Sequence, residues 1–335
     1  MKPEDIKPSH WWRYNVLFFL EHFLGRARAE RLLGKRERAL LAEIDADLSR
    51  EKRSAERSFE VIDYADGTWP EPLYDPRNPK VFRGAARNWE CSRTWGFDYF
   101  SEQFGDKEVI LYNNVGLNSK DSDQNFDKVT LREFISLLRA GSQKYLKFSR
   151  MVHSTSELKR DFDYEWLSRF HRPGSFGKIF YLFMGGRGTK TPIHNAPSAT
   201  VFVQVVGEKR WTFYAPGDRL FLGVRPERRG YFYSNFDPAN PNDPAFPLGR
   251  HARKFEVTLR PGDVLWFPPF AWHQVENLSD SIGVAYKFNH AGSTLKGSRM
   301  LSLLFVLSTK PFLLQSLVMS RIVKNDYIFV RRYDT

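Results

Sequence analysis

Two histidines stand where a metal could be held. His194 lies in Thr191-Pro192-Ile193-His194-Asn195-Ala196, and His273 closes Gly262-Asp263-Val264-Leu265-Trp266-Phe267-Pro268-Pro269-Phe270-Ala271-Trp272-His273. A non-haem Fe(II) oxygenase site is a facial triad of two histidines and one carboxylate, which leaves three coordination positions for co-substrate and oxygen. Here the position two residues after His194, where the carboxylate would stand, is Ala196. A lone histidine among aromatics is usually a packed, hydrogen-bonded core residue. Two histidines in matching contexts favour a shared site.

Elements must bring these residues together. Residues 198–206, Gly207-Glu208 and residues 209–214 read as a β-hairpin by their β-branched and aromatic content and central glycine. Residues 255–259, 263–267 and 282–288 add three strands, with Pro261-Gly262 as a turn. Many short antiparallel strands with turn residues predict a mainly β fold, a jelly-roll (double-stranded β-helix) core with flanking helices. In such a barrel, strands distant in sequence can place both histidines in one mouth. Three regions follow: an N-terminal helical extension over 1–58, a catalytic domain over 59–292 and a C-terminal helical segment over 293–335.

The N-terminal part predicts two helices. One spans 9–24, rich in aromatics and ending near Gly25; the other spans about 27–48, with Leu33, Leu40, Leu41, Ile44 and Leu48 on one stripe. Residues 49–58, charged or small, read as a linker. The first helix suits packing against the C-terminal helices or, as the second reading, a membrane surface. The apolar patch at Val16-Leu17-Phe18-Phe19-Leu20 is interrupted by Glu21 and His22, so no signal peptide is expected, and Lys310-Pro311 divides the apolar stretch 300–323 into pieces too short for a span.

The chain has 335 residues, 16% of them aromatic, enough to build a large core. Its net charge of +12 favours anionic partners without choosing among them. Cys91, the single cysteine, excludes an intrachain disulfide and a cysteine-based zinc site, and fits a reducing, cytoplasmic location.

The motifs resemble those of the JmjC-like cupin oxygenases, and most closely the branch that includes the asparaginyl hydroxylase acting on hypoxia-inducible factor. That family has Thr-Pro-x-His-x-Asp, then Gly-x-Lys-Arg, then Gly-Asp-Val-Leu-x-x-Pro-x-x-Trp-His. This chain matches with Thr191 to Ala196, Gly207-Glu208-Lys209-Arg210 and Gly262 to His273. Phe82-Arg83-Gly84-Ala85-Ala86-Arg87-Asn88-Trp89 and Phe104-Gly105-Asp106 resemble the family's opening signature, so the likeness covers about residues 75–290. The resemblance implies Fe(II) on His194 and His273, with 2-oxoglutarate and O2 as co-substrates. It implies Lys209 as the cation for the distal carboxylate of 2-oxoglutarate, with Thr191 and Tyr145 as its hydroxyl donors. A dicarboxylate drawn into a barrel needs such a set, because an unpaired buried charge costs about 3–5 kcal/mol.

Ala196 then admits several readings. In the Fe(II)/2-oxoglutarate halogenases, which this local substitution resembles, alanine or glycine replaces the carboxylate and chloride or bromide binds the iron. Halogenation of a C–H bond is the first expectation. A hydroxylase with water or another ligand in the site, Asn195 or Asp237 included, and a binding pseudoenzyme are the alternatives. On the strand after His273, Lys287 and Asn289 stand where the hydroxylases place a polar amide, and Lys287 facing the pocket would favour a nearby halide or substrate anion.

The substrate expected is a small molecule or a carrier- or lipid-linked one. Arg225-Pro226-Glu227-Arg228-Arg229, between the histidines, is a candidate for its contacts. Helices over 301–307 and 312–323 suggest a homodimer first and a peripheral membrane contact second. Nucleic acid is not an expected partner.

Overall fold

The computed structural model describes residues 3, 5–50, 56–57, 60–63, 78–112, 126–226 and 232–307. Two helices come first, α1 (Pro8–Leu24) and α2 (Arg26–Leu48). The strands in chain order are β1 (Glu56–Arg57), β2 (Glu60–Asp63), β3 (Lys80–Arg83), β4 (Glu108–Tyr112), β5 (Phe126–Thr130), β6 (Tyr145–Ser149), β7 (Phe176–Gly185) and β8 (Lys190–Asn195). They continue with β9 (Ala199–Val206), β10 (Lys209–Tyr214), β11 (Phe232–Ser234), β12 (Lys254–Leu259), β13 (Val264–Phe267), β14 (Trp272–Asn277) and β15 (Ser281–Asn289). One sheet runs β1-β12-β10-β14-β8-β11, the other β2-β3-β13-β9-β15-β7-β6-β4-β5. Within them β8-β14-β10-β12 faces β13-β9-β15-β7, all antiparallel, which is the expected jelly roll.

The predicted hairpin is corrected. Residues 199–206 and 209–214 do form strands, but β9 pairs with β13 and β15 whereas β10 pairs with β12 and β14. Gly207, at φ 71°, turns the chain from one sheet to the other, and a Cβ there would lie 2.0 Å from the Asp280 carbonyl oxygen. Apart from exposed Arg210, both strands are buried on both faces, so each sits inside a covered sheet rather than folding back on its neighbour.

Three apolar layers account for that cover. Between the sheets lie Phe202, Trp211, Phe213, Phe267 and Ala285 among others. Trp89, Trp166 and Phe170 cover the outer face of the larger sheet, against Val201, Val203 and Tyr286. Tyr14, Phe18, Leu40 and Ile44 of α1 and α2 join Leu301 and Leu304, from the helix Arg299–Val306, over Ile193 and Trp272. The first helix therefore packs on the C-terminal one as expected, and together they back the strands that carry the two histidines. Trp12 and Phe23 remain exposed. No helix among the described residues is long and apolar enough to cross a membrane. The helix expected over 312–323 lies outside the described residues.

Two further readings change. Within the stretch taken as a linker, Glu56–Arg57 pairs in parallel with the start of β12. Arg225, a candidate substrate contact, instead donates to Glu37 at 2.7 Å and to Glu21 at 3.2 Å, clamping the barrel's long insertion onto α1 and α2. Burial pushes the Glu21 carboxyl up from its usual value, against the pull of Arg225. Arg225→Met should leave Glu21 buried without its cation and lower stability by about 1–2 kcal/mol, below the usual cost for a fully buried pair because Arg225 is partly exposed. An unchanged urea midpoint would show the clamp to be idle. Arg228 and Arg229 lie outside the described residues.

Asp263, in the second histidine motif, accepts from Arg83, the Gly84 N–H at 3.0 Å and the Arg260 N–H at 2.9 Å. The motif aspartate is thus a structural tie to the opening signature. Burial pushes the Cys91 thiol up to about 12, so this cysteine is an inert core residue.

Candidate metal and co-substrate site

Strand pairing puts His194 opposite His273, with ring centroids 4.2 Å apart. In the same ladder Thr191 pairs with Val275, so three residues of β8 span two of β14. That bulge falls at Pro192-Ile193. Plain alternation would set Thr191 and His194 on opposite faces, and the extra residue restores both to the interior. The start of β14 is held separately. Phe270, in left-handed backbone at φ 61°, donates its N–H to the Ala196 carbonyl at 2.8 Å and so joins the end of β8 to the loop before His273.

The two imidazoles are oriented by one device used twice. His194 Nδ1 lies 2.8 Å from the Pro192 carbonyl and His273 Nδ1 2.9 Å from the Ala271 carbonyl, in each case two residues upstream. A carbonyl can only accept, so Nδ1 carries the proton and Nε2 keeps its lone pair. Burial first, then the charges of Lys287 and Lys147, holds His194 down at about 4. Burial, then His194, holds His273 well below its usual value. Neutral imidazoles with free Nε2 atoms are what a divalent metal requires.

Lys209, the first residue of β10, is fully buried in the same chamber. Its Nζ lies 3.4 Å from the Tyr145 hydroxyl and over the rings of Tyr145 and Phe202, 5.5 and 5.4 Å from their centroids. Burial pushes the ammonium down to about 7. Burial also raises the Tyr145 phenol, opposed by a hydrogen bond with Thr191. A cation, a phenol and a threonine hydroxyl thus share one pocket with the histidines, and they fit a carboxylate whose other end reaches the metal.

Lys287 faces inward. On β15, Val284, Tyr286 and Phe288 join the outer layer, whereas Ala285 and Lys287 line the chamber. Its ammonium sits 5.4 Å from the Phe148 ring centroid, and burial pushes it down to about 8. Asn289 is buried, and its amide nitrogen has no partner among the described residues, but it does not line this chamber. Ala196 is likewise absent from the chamber wall. Asn195 alternates away from His194 on the strand. Asp237 accepts from the Ala239 N–H in a turn. Neither replaces the missing ligand, and no group of three histidine, cysteine or acidic side chains converges among the described residues.

Sequence reasoning passed over several wall residues. Thr200, Lys147 and Phe148 all line the chamber, and Thr200 Oγ1 is buried with no partner among the described residues. Alternation was the available signal: Thr200 is two residues from Phe202, and Lys147 two from Tyr145.

The Cupin-like domain family matches residues 68–294, more than half of the chain and all of the strands that build this site. The chain belongs to that family. Curated relatives of this Cupin-like protein include HSPB1-associated protein 1 of Bos taurus, 29% identical over 226 residues, covering 60% of this chain and 46% of the relative. Lysine-specific demethylase 8 of Danio rerio is 28% identical over 222 residues, covering 63% and 53%. Lysine-specific demethylase JMJ30 of Arabidopsis thaliana is 26% identical over 222 residues, covering 64% and 50%. The chain spans about half the length of these relatives. The broad JmjC-like resemblance is borne out by them, whereas the finer likeness to the asparaginyl hydroxylase branch rests on the motifs alone.

Proposed function

We propose that this Cupin-like protein is an Fe(II)- and 2-oxoglutarate-dependent oxygenase that hydroxylates a C–H bond through an iron site with two protein ligands, His194 and His273. The observation that carries the reading is Lys209, a fully buried lysine that shares one chamber with two metal-ready imidazoles and whose polar neighbour is a tyrosine hydroxyl. A buried ammonium without a carboxylate is costly, and a bound dicarboxylate would supply its counter-charge. Thr191 and Tyr145 would donate to the same carboxylate, and Thr200 offers a further hydroxyl. Iron with 2-oxoglutarate and O2 supplies the oxidising power when bound. The chain's own part is to orient both imidazoles, fix the co-substrate's far end and keep water out with Phe202, Trp211 and Phe267.

Two relatives are named lysine-specific demethylases, and hydroxylation of a C–H bond is the reading of this site that agrees with removal of a methyl group. Halogenation is the second reading, favoured by Ala196 at the carboxylate position and by the Lys287 ammonium turned toward both histidines. Anaerobic titration with Fe(II) and 2-oxoglutarate should give a metal-to-ligand charge-transfer band, and oxygen should then consume 2-oxoglutarate without added halide. Halide-dependent consumption would replace hydroxylation by halogenation. Failure to bind iron at millimolar concentration would sink both enzyme readings and leave a binding module. Ala196→Asp puts a carboxylate two residues after His194, where it would add a third protein ligand if its longer side chain reaches the chamber that Ala196 itself does not line. It should tighten Fe(II) binding at least tenfold, about 1.4 kcal/mol, measured by competition with a chelator.

A further inference from the structure

A second cavity, of about 280 Å³, lies outside the chamber and shares Lys147, Phe148 and Lys287 with it. These three residues therefore mark the junction of the two cavities, where a passage from the metal position to the exterior would run. Among the described residues, four cationic side chains, Lys107, Lys147, Arg150 and Lys287, line the outer cavity with one acidic one, Glu108. Tyr181, Tyr233 and Phe148 give it aromatic walls.

The passage is built at a backbone irregularity. In the β6–β7 ladder Leu146 pairs with Met184 but Ser149 with Leu182, so β6 carries an extra residue. Within that bulge Phe148 adopts φ 55°, left-handed backbone that a large side chain rarely accepts. The strain brings two consecutive residues, Lys147 and Phe148, to the same cavity, which a regular strand cannot do. Phe148 then lies beneath Lys287 and edge-on to Phe183, at 5.2 Å between centroids. Lys147 reaches over the Tyr112 ring at 5.2 Å.

We propose that this outer cavity is the substrate site and that it takes a small molecule with an anionic head, carboxylate or phosphate, held by Lys147 and Lys287 beside the metal position. The proposal rests on reading the inner chamber as the iron and 2-oxoglutarate site. Two ammonium groups at the passage oppose a cationic guest. A lysine side chain, the target printed in the names of two relatives, would bring a third ammonium to the same place. The aromatic walls suit a flat or apolar body behind the head.

The test is calorimetric titration of the full chain, without metal, using 3-phenylpropionate, phenyl phosphate and 2-phenylethylamine as probes. These share an aromatic body and differ in head charge. At least one anion should bind ten or more times tighter than the amine, and its affinity should fall as salt rises; comparing the two anions tells carboxylate from phosphate. Lys147→Met and Lys287→Met should each weaken the anion at least fivefold, and Lys287→Arg should restore most of it, which a merely misfolded variant would not. Lys209→Met should leave the anion bound. Equal binding of amine and anion, no binding of either, or loss of the anion in Lys209→Met with retention in Lys147→Met and Lys287→Met would overturn the proposal. Because no metal is added, these outcomes are separate from failure of the iron reading, which the Fe(II) titration reports.

Discussion

Lys209→Met is expected to abolish 2-oxoglutarate binding and at the same time to make the protein more stable. The two effects have one cause. Among the described residues the ammonium meets no counter-charge, which a bound dicarboxylate would bring, and its proton affinity falls from 10.5 to about 7. That difference bounds the folding penalty near 5 kcal/mol; local relaxation and the Tyr145 hydroxyl reduce it, so a gain of about 2–4 kcal/mol is expected at neutral pH. The sign follows from proton counting. Between pH 7 and 10.5 the unfolded chain holds a proton that the folded chain has released, so stability rises with pH across that window and the penalty vanishes above it. The methionine variant should lose that rise. Thermal or urea unfolding at pH 7 and pH 10 measures it, and a variant less stable than the parent at pH 7 would contradict the account. Binding of 2-oxoglutarate to the parent should weaken above pH 7, as the free protein's lysine loses its charge, and should be lost by more than a hundredfold in the variant.

His194→Ala should remove Fe(II) binding, with His273→Ala equivalent. Even groups that only orient a ligand are worth about 10–100-fold in metal affinity, so loss of one of two protein ligands should exceed a hundredfold. The contrast with a site of three protein ligands matters here. In the proposed site, with Ala196 in the third place, each histidine would be half of the protein's hold on the metal. Direct measurement of Fe(II) or Co(II) affinity decides the point, and 2-oxoglutarate consumption should fall in parallel. Retained affinity in either alanine variant would mean that the metal is held elsewhere. Because the His273 ring packs against Trp211, Phe213 and Phe267, and the His194 ring against Tyr233 and His273, His→Gln variants are the control for packing.

The jelly roll could be read from the alternation of strands and turns, and the pairing of His194 with His273 from the two motifs. The hairpin at Gly207 could not be read correctly. Two β strands separated by two residues carry the same local signal whether they pair or cross between sheets, and the choice depends on what covers their outer faces. Arg225 illustrates a second limit. An arginine-rich insertion looks the same facing solvent, substrate or another part of the chain, and Glu21 and Glu37 lie some 190 to 200 positions away in sequence.

The sequence by itself determined the chemistry available: two histidines, a lysine and a threonine at motif spacing, and an alanine where a carboxylate would complete the iron site. Those are covalent facts that no packing alters. Tertiary structure alone decided where the charges point. Period-two alternation says that Ala285 and Lys287 share a face, but only the layers on either side of β15 make that face the interior. The bulges at Pro192 and Phe148 likewise depend on partner strands, since an extra residue is defined only against the ladder it interrupts. Through them Thr191 joins His194, and Lys147 and Phe148 join Lys287, so a strand pattern with a missing ligand becomes a chamber with a cationic doorway.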